Sequence, residues 1–172
     1  MVSKKTFLLW WIGGLIAFVI VIAMHAPLVL TQVPGGIGDH QAAATAAEVD
    51  RIQSAWSNAG LQGTAARAML GDLVFISIYG FGCLLGGLYF RKVGAGMLRH
   101  LGLAIAISGI AFTVSDYGET TAQFLQLMAN KGSDGLAGFA ATMLPIKTAA
   151  WICTFVGMLA AFVIRRKQQR AG

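Results

Sequence analysis

The chain has 172 residues, of which 56% are hydrophobic and only 12% are charged. A soluble domain carries roughly 25% charged residues, so this composition excludes a soluble enzyme, a disordered tail and an ordinary nucleic-acid-binding domain. The formal net charge of +6 could attract a nucleic acid, but the positions of the charges indicate a membrane protein without a nucleic-acid partner.

Basic and acidic residues are sorted into different connections between the apolar runs. Nine of the 13 basic residues lie in segments that hold none of the 7 acidic residues. These nine are Lys4, Lys5, Arg91, Lys92, Arg99, Arg165, Arg166, Lys167 and Arg170. Because basic loops stay on the cytoplasmic side, we expect a multi-pass protein of the bacterial inner membrane, surrounded by lipid, with cytoplasmic N- and C-termini.

The first apolar run, residues 7–26, is close to the ~20 residues that cross a bilayer as a helix. We interpret it as a retained span and not as a signal peptide. Trp10 and Trp11 lie at its inner end, where aromatic rings anchor helices at the membrane interface. The long connection that follows contains an amphipathic helix at about 40–59, which is too polar to span. We expect this helix to cover the outer mouth of the bundle, with Trp56 as a further anchor.

Three further apolar runs predict spans at about residues 69–90, 98–118 and 144–164. A short basic turn joins the second span to the third, which makes them antiparallel neighbours. Helical periodicity continues past the third span as far as Asn130. The predicted fold is therefore all-α: one membrane domain over residues 1–172, built as an antiparallel bundle of four transmembrane helices with an extra amphipathic helix on the outer side.

Ionisable side chains collect at the outer ends of these spans, although a charge costs on the order of 3 kcal/mol at the centre of a membrane helix. The topology places five of them within one or two helical turns of the outer membrane surface: Asp72, Tyr79, Asp116, Glu119 and Lys147. Three carboxylates against one lysine leave excess negative charge, which a proton, a metal ion, a cationic ligand or water would offset. The alternative is a structural ion pair that satisfies buried groups and fixes helix register.

Metal and cofactor sites have little support in the sequence. His25 and His40 are weak metal-ligand candidates on the same side of the membrane as the carboxylates. Because neither belongs to an i, i+4 His pair or an E-x-x-H motif, we assign no metal site. The glycines form no phosphate-binding or dinucleotide-binding motif, and Cys83 and Cys153 form no C-x-x-C pair. We therefore expect no cofactor and leave the catalytic residues unassigned.

The polar residues also form short motifs. The second span carries D-x-x-F-I-x-x-Y from Asp72, the third carries D-x-x-E from Asp116, and the fourth carries Lys147. In these motifs the chain resembles a group of uncharacterised small bacterial four-span membrane proteins, in which the third-span motif is D-x-x-E-N. Thr120 stands where that pattern has Asn. The resemblance implies that the polar cluster is one unit, and it implies no known activity.

Three classes of function remain open. We favour a non-catalytic accessory subunit or packing module of a membrane assembly, because the chain is small and rich in the Gly and Ala that allow close helix packing. Its partners would be other membrane protein subunits. One alternative is a lipid, cation or small-molecule binding protein or transporter that uses the outer polar cluster. The other is a membrane-embedded enzyme that uses the same cluster.

Overall fold

The computed structural model describes residues 2–171, and within them it contains helices and no β-strand, which confirms the all-helical prediction. In chain order the elements are α1 (Lys4–His25), a 3-10 turn (Ala26–Leu28), α2 (Ile37–Ala42), α3 (Ala46–Asn58), α4 (Gln62–Val93), α5 (Met97–Ala129) and α6 (Asp134–Ala171). Four helices of this described part, α1, α4, α5 and α6, are long and apolar enough to cross a membrane.

The long helices pack as successive neighbours, α1 on α4, α4 on α5 and α5 on α6. Glycines at the contacts let the backbones of neighbouring helices approach closely. A Cβ atom at Gly14 would lie 2.5 Å from the Cα of Tyr79, and one at Gly82 would lie 2.6 Å from a backbone nitrogen of α1. Between α4 and α5, a Cβ at Gly87 would lie 2.5 Å from the nitrogen of Ala106. These contacts set the register of the three helices, because a neighbouring backbone cannot move aside as a side chain can.

Large aromatic side chains fill the space between α1 and α6, which we call the α1–α6 seam. Ring centroids are 5.9 Å apart for Trp11 and Phe162, and 5.5 Å apart for Phe18 and Trp151. Trp11 is buried in this seam, so the prediction that it anchors α1 at the membrane interface is wrong. The ring of Trp10 is exposed, which leaves it available as an anchor.

The segment between α1 and α4 folds over one end of the long helices, and we call α2 and α3 together the cap. The prediction of one helix at about 40–59 is wrong, because the chain is extended at Ala43 (ψ 115°) and Thr45 (φ −130°, ψ 153°). The Thr45 side chain accepts a hydrogen bond from the Glu48 nitrogen at 3.3 Å and so begins a new helix. A local N-cap thus interrupts an otherwise helical pattern.

The apolar face of the cap packs against the protein. Trp56 is 0% exposed, and its indole N–H donates to the carbonyl oxygen of Leu28 at 2.9 Å. The predicted role of Trp56 as an interface anchor is therefore wrong, since its ring reaches no lipid. The buried residues around it include Ile52, Met69 and Leu127. The amphipathic pattern of α3 reflects a second protein core at the capped end.

Two carboxylates attach the cap to the turn between α5 and α6. Asp134 Oδ1 accepts a hydrogen bond from the Ala46 nitrogen at 2.7 Å, and Asp50 Oδ1 accepts one from the Gly132 nitrogen at 2.5 Å. The Ala46 amide lies in the first turn of α3, where backbone N–H groups have no partner within the helix. The cap is thereby tied to α5 and α6 as well as to α4.

Helix α6 begins at Asp134 and not at about residue 144, so Pro145 lies inside the helix and not in its first turn. The added turns are held by tertiary packing, because Ala137 is buried against the cap. Helix α5 ends at Ala129, within one residue of the end that the periodicity predicts, and its C-cap Asn130 has a φ of 49° in the left-handed region. The small residues that precede the apolar run give no helix signal in the sequence, and packing against the cap makes them the first turns of α6.

Candidate functional site

A cavity of about 240 Å³ lies under α2 at the capped end of the α1–α6 seam. All four long helices contribute to its wall, and α2 contributes Ile37 and Gln41. The aromatic part of the wall consists of Phe18, Phe75, Phe112 and Trp151. The ionisable part consists of His25, Asp72, Asp116 and Lys147. Charged groups and apolar rings therefore face one shared space.

Lys147 connects α6 to α5. Its Nζ donates to Asp116 Oδ1 at 2.9 Å and to Glu119 Oε1 at 2.8 Å. The two carboxylates are three residues apart on one helix and so lie on the same face. The structure brings together these three members of the predicted cluster, and Glu119 is 0% exposed. One ammonium group thus serves two buried carboxylates.

Asp72 belongs to a second ion pair. Its Oδ2 lies 3.0 Å from Nε2 of His25, at the end of α1. The expectation of a single cluster around Lys147 is therefore corrected to two pairs on the wall of one cavity. The reason is helix order: α1 packs on the same helix that carries Asp72, which brings the last residue of α1 to its side chain. His25 is thus more closely associated with the site than the sequence indicated.

Tyr79 does not join the carboxylates. Its hydroxyl group lies 3.0 Å from Oγ1 of Thr154, and its ring is fully buried, with its centroid 5.3 Å from that of Phe112. The expectation that Tyr79 belongs to the polar cluster is wrong in this respect. The polar pattern of the sequence does not indicate Thr154 as a partner, although it lies seven residues after Lys147 and so on the same face of α6.

Side-chain amides link the buried carboxylate to the cap. Gln123 Nε2 donates to Glu119 Oε1 at 3.3 Å and to the carbonyl oxygen of His40 at 3.5 Å. The His40 ring is buried beside Trp56, and its Nε2 lies 3.2 Å from the amide of Gln53. Sequence reasoning missed Gln53, because a single Gln beside an apolar stripe resembles a solvated residue.

The two histidines do not share a metal site. His25 faces Asp72 and His40 faces Gln53, so the cavity wall and the cap hold them separately. Among residues 2–171, no group of three or more His, Cys, Asp and Glu side chains lies close enough together to hold a metal ion.

Burial lowers the pKa of His40 from 6.5 to about 4. The unfolded chain therefore takes up a proton that the folded chain excludes, and stability falls as the pH decreases from 6.5 towards 4. This difference costs about 2 kcal/mol between pH 7.5 and pH 5.0. We expect the unfolding temperature to fall more over this range for the wild type than for His40→Gln.

The control for this experiment is His100→Gln, which changes an exposed histidine at the other end of the molecule. That variant should show the same pH dependence as the wild type. If His40→Gln loses as much stability on acidification as the wild type does, the folded protein does not hold His40 neutral.

Compared with known proteins, the chain matches no family model, no curated protein and no solved structure. The resemblance to small bacterial four-span proteins therefore stays a prediction. The main feature of the site is the cavity, in which two ion pairs and four aromatic rings surround one space.

Proposed function

We propose that this is a multi-pass membrane protein that binds a small amphiphilic molecule in the cavity at its capped end. The observation that carries the proposal is the composition of the cavity wall, where the pairs His25–Asp72 and Lys147–Asp116 adjoin aromatic rings. Ligand sites in proteins are concave and mostly apolar, with a few converging polar groups that orient the ligand. The cavity wall combines four aromatic rings with two ion pairs and so matches this description.

The position of the ion pairs also supports a binding role. The space of about 240 Å³ is partly open to the outside, and Asp72, Asp116 and Lys147 all border it. Polar groups that line an open cleft are within reach of a ligand and can orient it.

The proposed membrane arrangement is an antiparallel four-helix bundle with both termini in the cytoplasm of a bacterium and the cap outside. The basic ends of the helices support it. Arg165 Nη1 donates to the carbonyl oxygen of Val93 at 3.0 Å, so the basic end of α6 lies beside the basic end of α4. The acidic residues Asp50 and Asp134 lie at the opposite, capped end. An excess of basic over acidic residues at one end is typical of cytoplasmic loops.

Cysteine labelling tests this orientation. In a background with Cys83 and Cys153 replaced by Ala, we expect Ser57→Cys to react with a membrane-impermeant maleimide on intact spheroplasts. Gln169→Cys should react only after permeabilisation. Both positions are exposed, so accessibility within the protein does not limit the reaction. Labelling of Gln169→Cys from outside would contradict the arrangement.

Blocking the cavity tests the binding function. Ile22 lines the cavity and is 51% exposed, so Ile22→Trp places an indole at its mouth with little strain in the core. Ile20 is 56% exposed on the same helix and is not part of the cavity wall, so Ile20→Trp is the matched control. We expect mass spectrometry of organic extracts to find a small molecule that the wild type and Ile20→Trp retain and Ile22→Trp loses about tenfold, a loss of roughly 1.4 kcal/mol in affinity.

Identical extracts from all three proteins would overturn the binding function. The same purification tests the role as an accessory subunit, which stays a prediction. Stoichiometric polypeptides that remain with Ile22→Trp as well as with the wild type would support that role independently of the cavity.

A further inference from the structure

We infer that the molecule bound in this cavity carries a protonated amine attached to an apolar body. This inference rests on the proposed binding function and names the ligand class of the same site. It follows from the charged groups of the cavity, from an unused carboxylate oxygen on its wall and from the aromatic rings beside it.

The charge of the site favours a cation. Two carboxylates, Asp72 and Asp116, line the cavity against one lysine, Lys147. Lys147 is also bonded to Glu119 behind the wall, so acidic groups outnumber the lysine at this end of the bundle. Interactions between charges are strong where water is scarce. A cationic ligand would offset this excess, whereas an anionic ligand would add to it.

An unused carboxylate oxygen on the cavity wall can accept a hydrogen bond from a ligand. Asp72 is bonded through Oδ2 to His25, and Asp116 is bonded through Oδ1 to Lys147. The other oxygen of Asp72 accepts no hydrogen bond from any residue between 2 and 171. Both aspartates line the cavity, although they are only 8% and 6% exposed. Carboxylate oxygens only accept hydrogen bonds, so an ammonium N–H⁺ is a matching partner and forms charge-assisted bonds with them.

The aromatic side chains on the cavity wall favour an apolar body next to the amine. A cation gains energy beside an aromatic ring, and rings that converge on one space recognise organic ammonium groups. The rings of Phe18 and Trp151 lie on the α1 and α6 sides of the cavity, with centroids 5.5 Å apart. An apolar body can contact these rings and extend past Ile22, which is exposed on the outside of α1. A hydrated inorganic cation would not use this apolar surface.

Three matched probes test the inference on the full-length protein in lipid nanodiscs. The probes are octylammonium, octanol and octanoate, which share one alkyl chain and differ in charge. We expect octylammonium to raise the unfolding temperature of the wild type and of Ile20→Trp, and to have little effect on Ile22→Trp. Octanol should have a smaller effect and octanoate none. Comparison of the two Trp variants removes any contribution from partitioning of the probes into the lipid.

Charge variants identify the groups that recognise the amine. We expect Asp72→Asn and Asp116→Asn each to raise the octylammonium concentration needed for half of the temperature shift by roughly tenfold, the equivalent of about 1.4 kcal/mol. Glu48→Gln removes a cap carboxylate that is paired with Arg51 away from the cavity, and it should leave that concentration unchanged. This readout is a response to ligand, so it separates binding from a change in basal stability.

The outcomes also separate the inference from the function on which it rests. If the three probes act equally and Ile22→Trp abolishes all three effects, the cavity binds amphiphiles but the requirement for an amine is wrong. The inference is likewise overturned if the molecule lost from Ile22→Trp contains no amine. If no probe acts and no molecule is lost, the binding function and the inference both fail.

Discussion

Lys147→Met is expected to lower the free energy of unfolding by about 3–5 kcal/mol, because it leaves two buried carboxylates without their counter-ion. Methionine keeps most of the volume of the side chain, so the loss reports on charge and hydrogen bonding. Unfolding of the purified protein in detergent, followed by circular dichroism, measures the change. Lys131→Met removes an exposed lysine beyond the end of α5 and should have little effect.

Double-mutant cycles then identify the partners of Lys147. We expect Glu119→Gln and Asp116→Asn each to restore part of the stability that Lys147→Met loses, because a neutral side chain needs no counter-ion. Asp72→Asn should show a much smaller coupling to Lys147, since Asp72 is paired with His25. A coupling energy near zero between Lys147 and both α5 carboxylates would reject the observed pairing.

Gly14→Ala is expected to destabilise the packing of α1 against α4. The added Cβ would lie 2.5 Å from the Cα of Tyr79, so the two helices must separate or shift. Overpacking of this kind costs about 1–3 kcal/mol, more than the gain of roughly 1 kcal/mol from replacing Gly with Ala in a helix. The unfolding temperature in detergent should therefore decrease.

The neighbouring residue provides a matched control. A Cβ at Gly13 would meet its nearest atom, in the side chain of Ile78, at 3.6 Å, which is an ordinary contact. Gly13→Ala therefore keeps the gain in helix propensity without the clash and should be neutral or stabilising. If the two alanine variants have equal stability, the close approach of α1 and α4 at Gly14 is not required.

The sequence predicts the long helices well, because an apolar run of about 20 residues usually folds as a single long helix. The continuing periodicity also predicts the end of α5 to within one residue, since the helix ends at Ala129 and Asn130 is its C-cap. The attraction between Lys147 and the carboxylates at Asp116 and Glu119 was predictable as well. Residues three apart share a helix face, and a lone lysine on a neighbouring apolar helix needs partners.

Other features depend on contacts that no local pattern contains. An apolar stripe looks the same whether it faces lipid or protein, so the sequence places Trp11 and Trp56 at the membrane interface although both rings are buried in protein. The partner of Asp72 depends on which helix packs beside α4 and could not be read from spacing. The break between α2 and α3 depends on Thr45, whose capping bond competes with continuation of the helix.

The attachment of the cap has a consequence for how the protein matures. The hydrogen bonds that hold α3 to the α5–α6 turn join groups 82 and 88 residues apart in the chain. Ribosomes make α3 long before that turn, so these two hydrogen bonds cannot form until α5 and the start of α6 have been made. Until then the buried cluster around Trp56 lacks Leu127 of α5 and Ala137 of α6. We therefore expect docking of the cap to be completed late in biogenesis, and nascent chains that stall earlier would present part of this region to quality-control proteases.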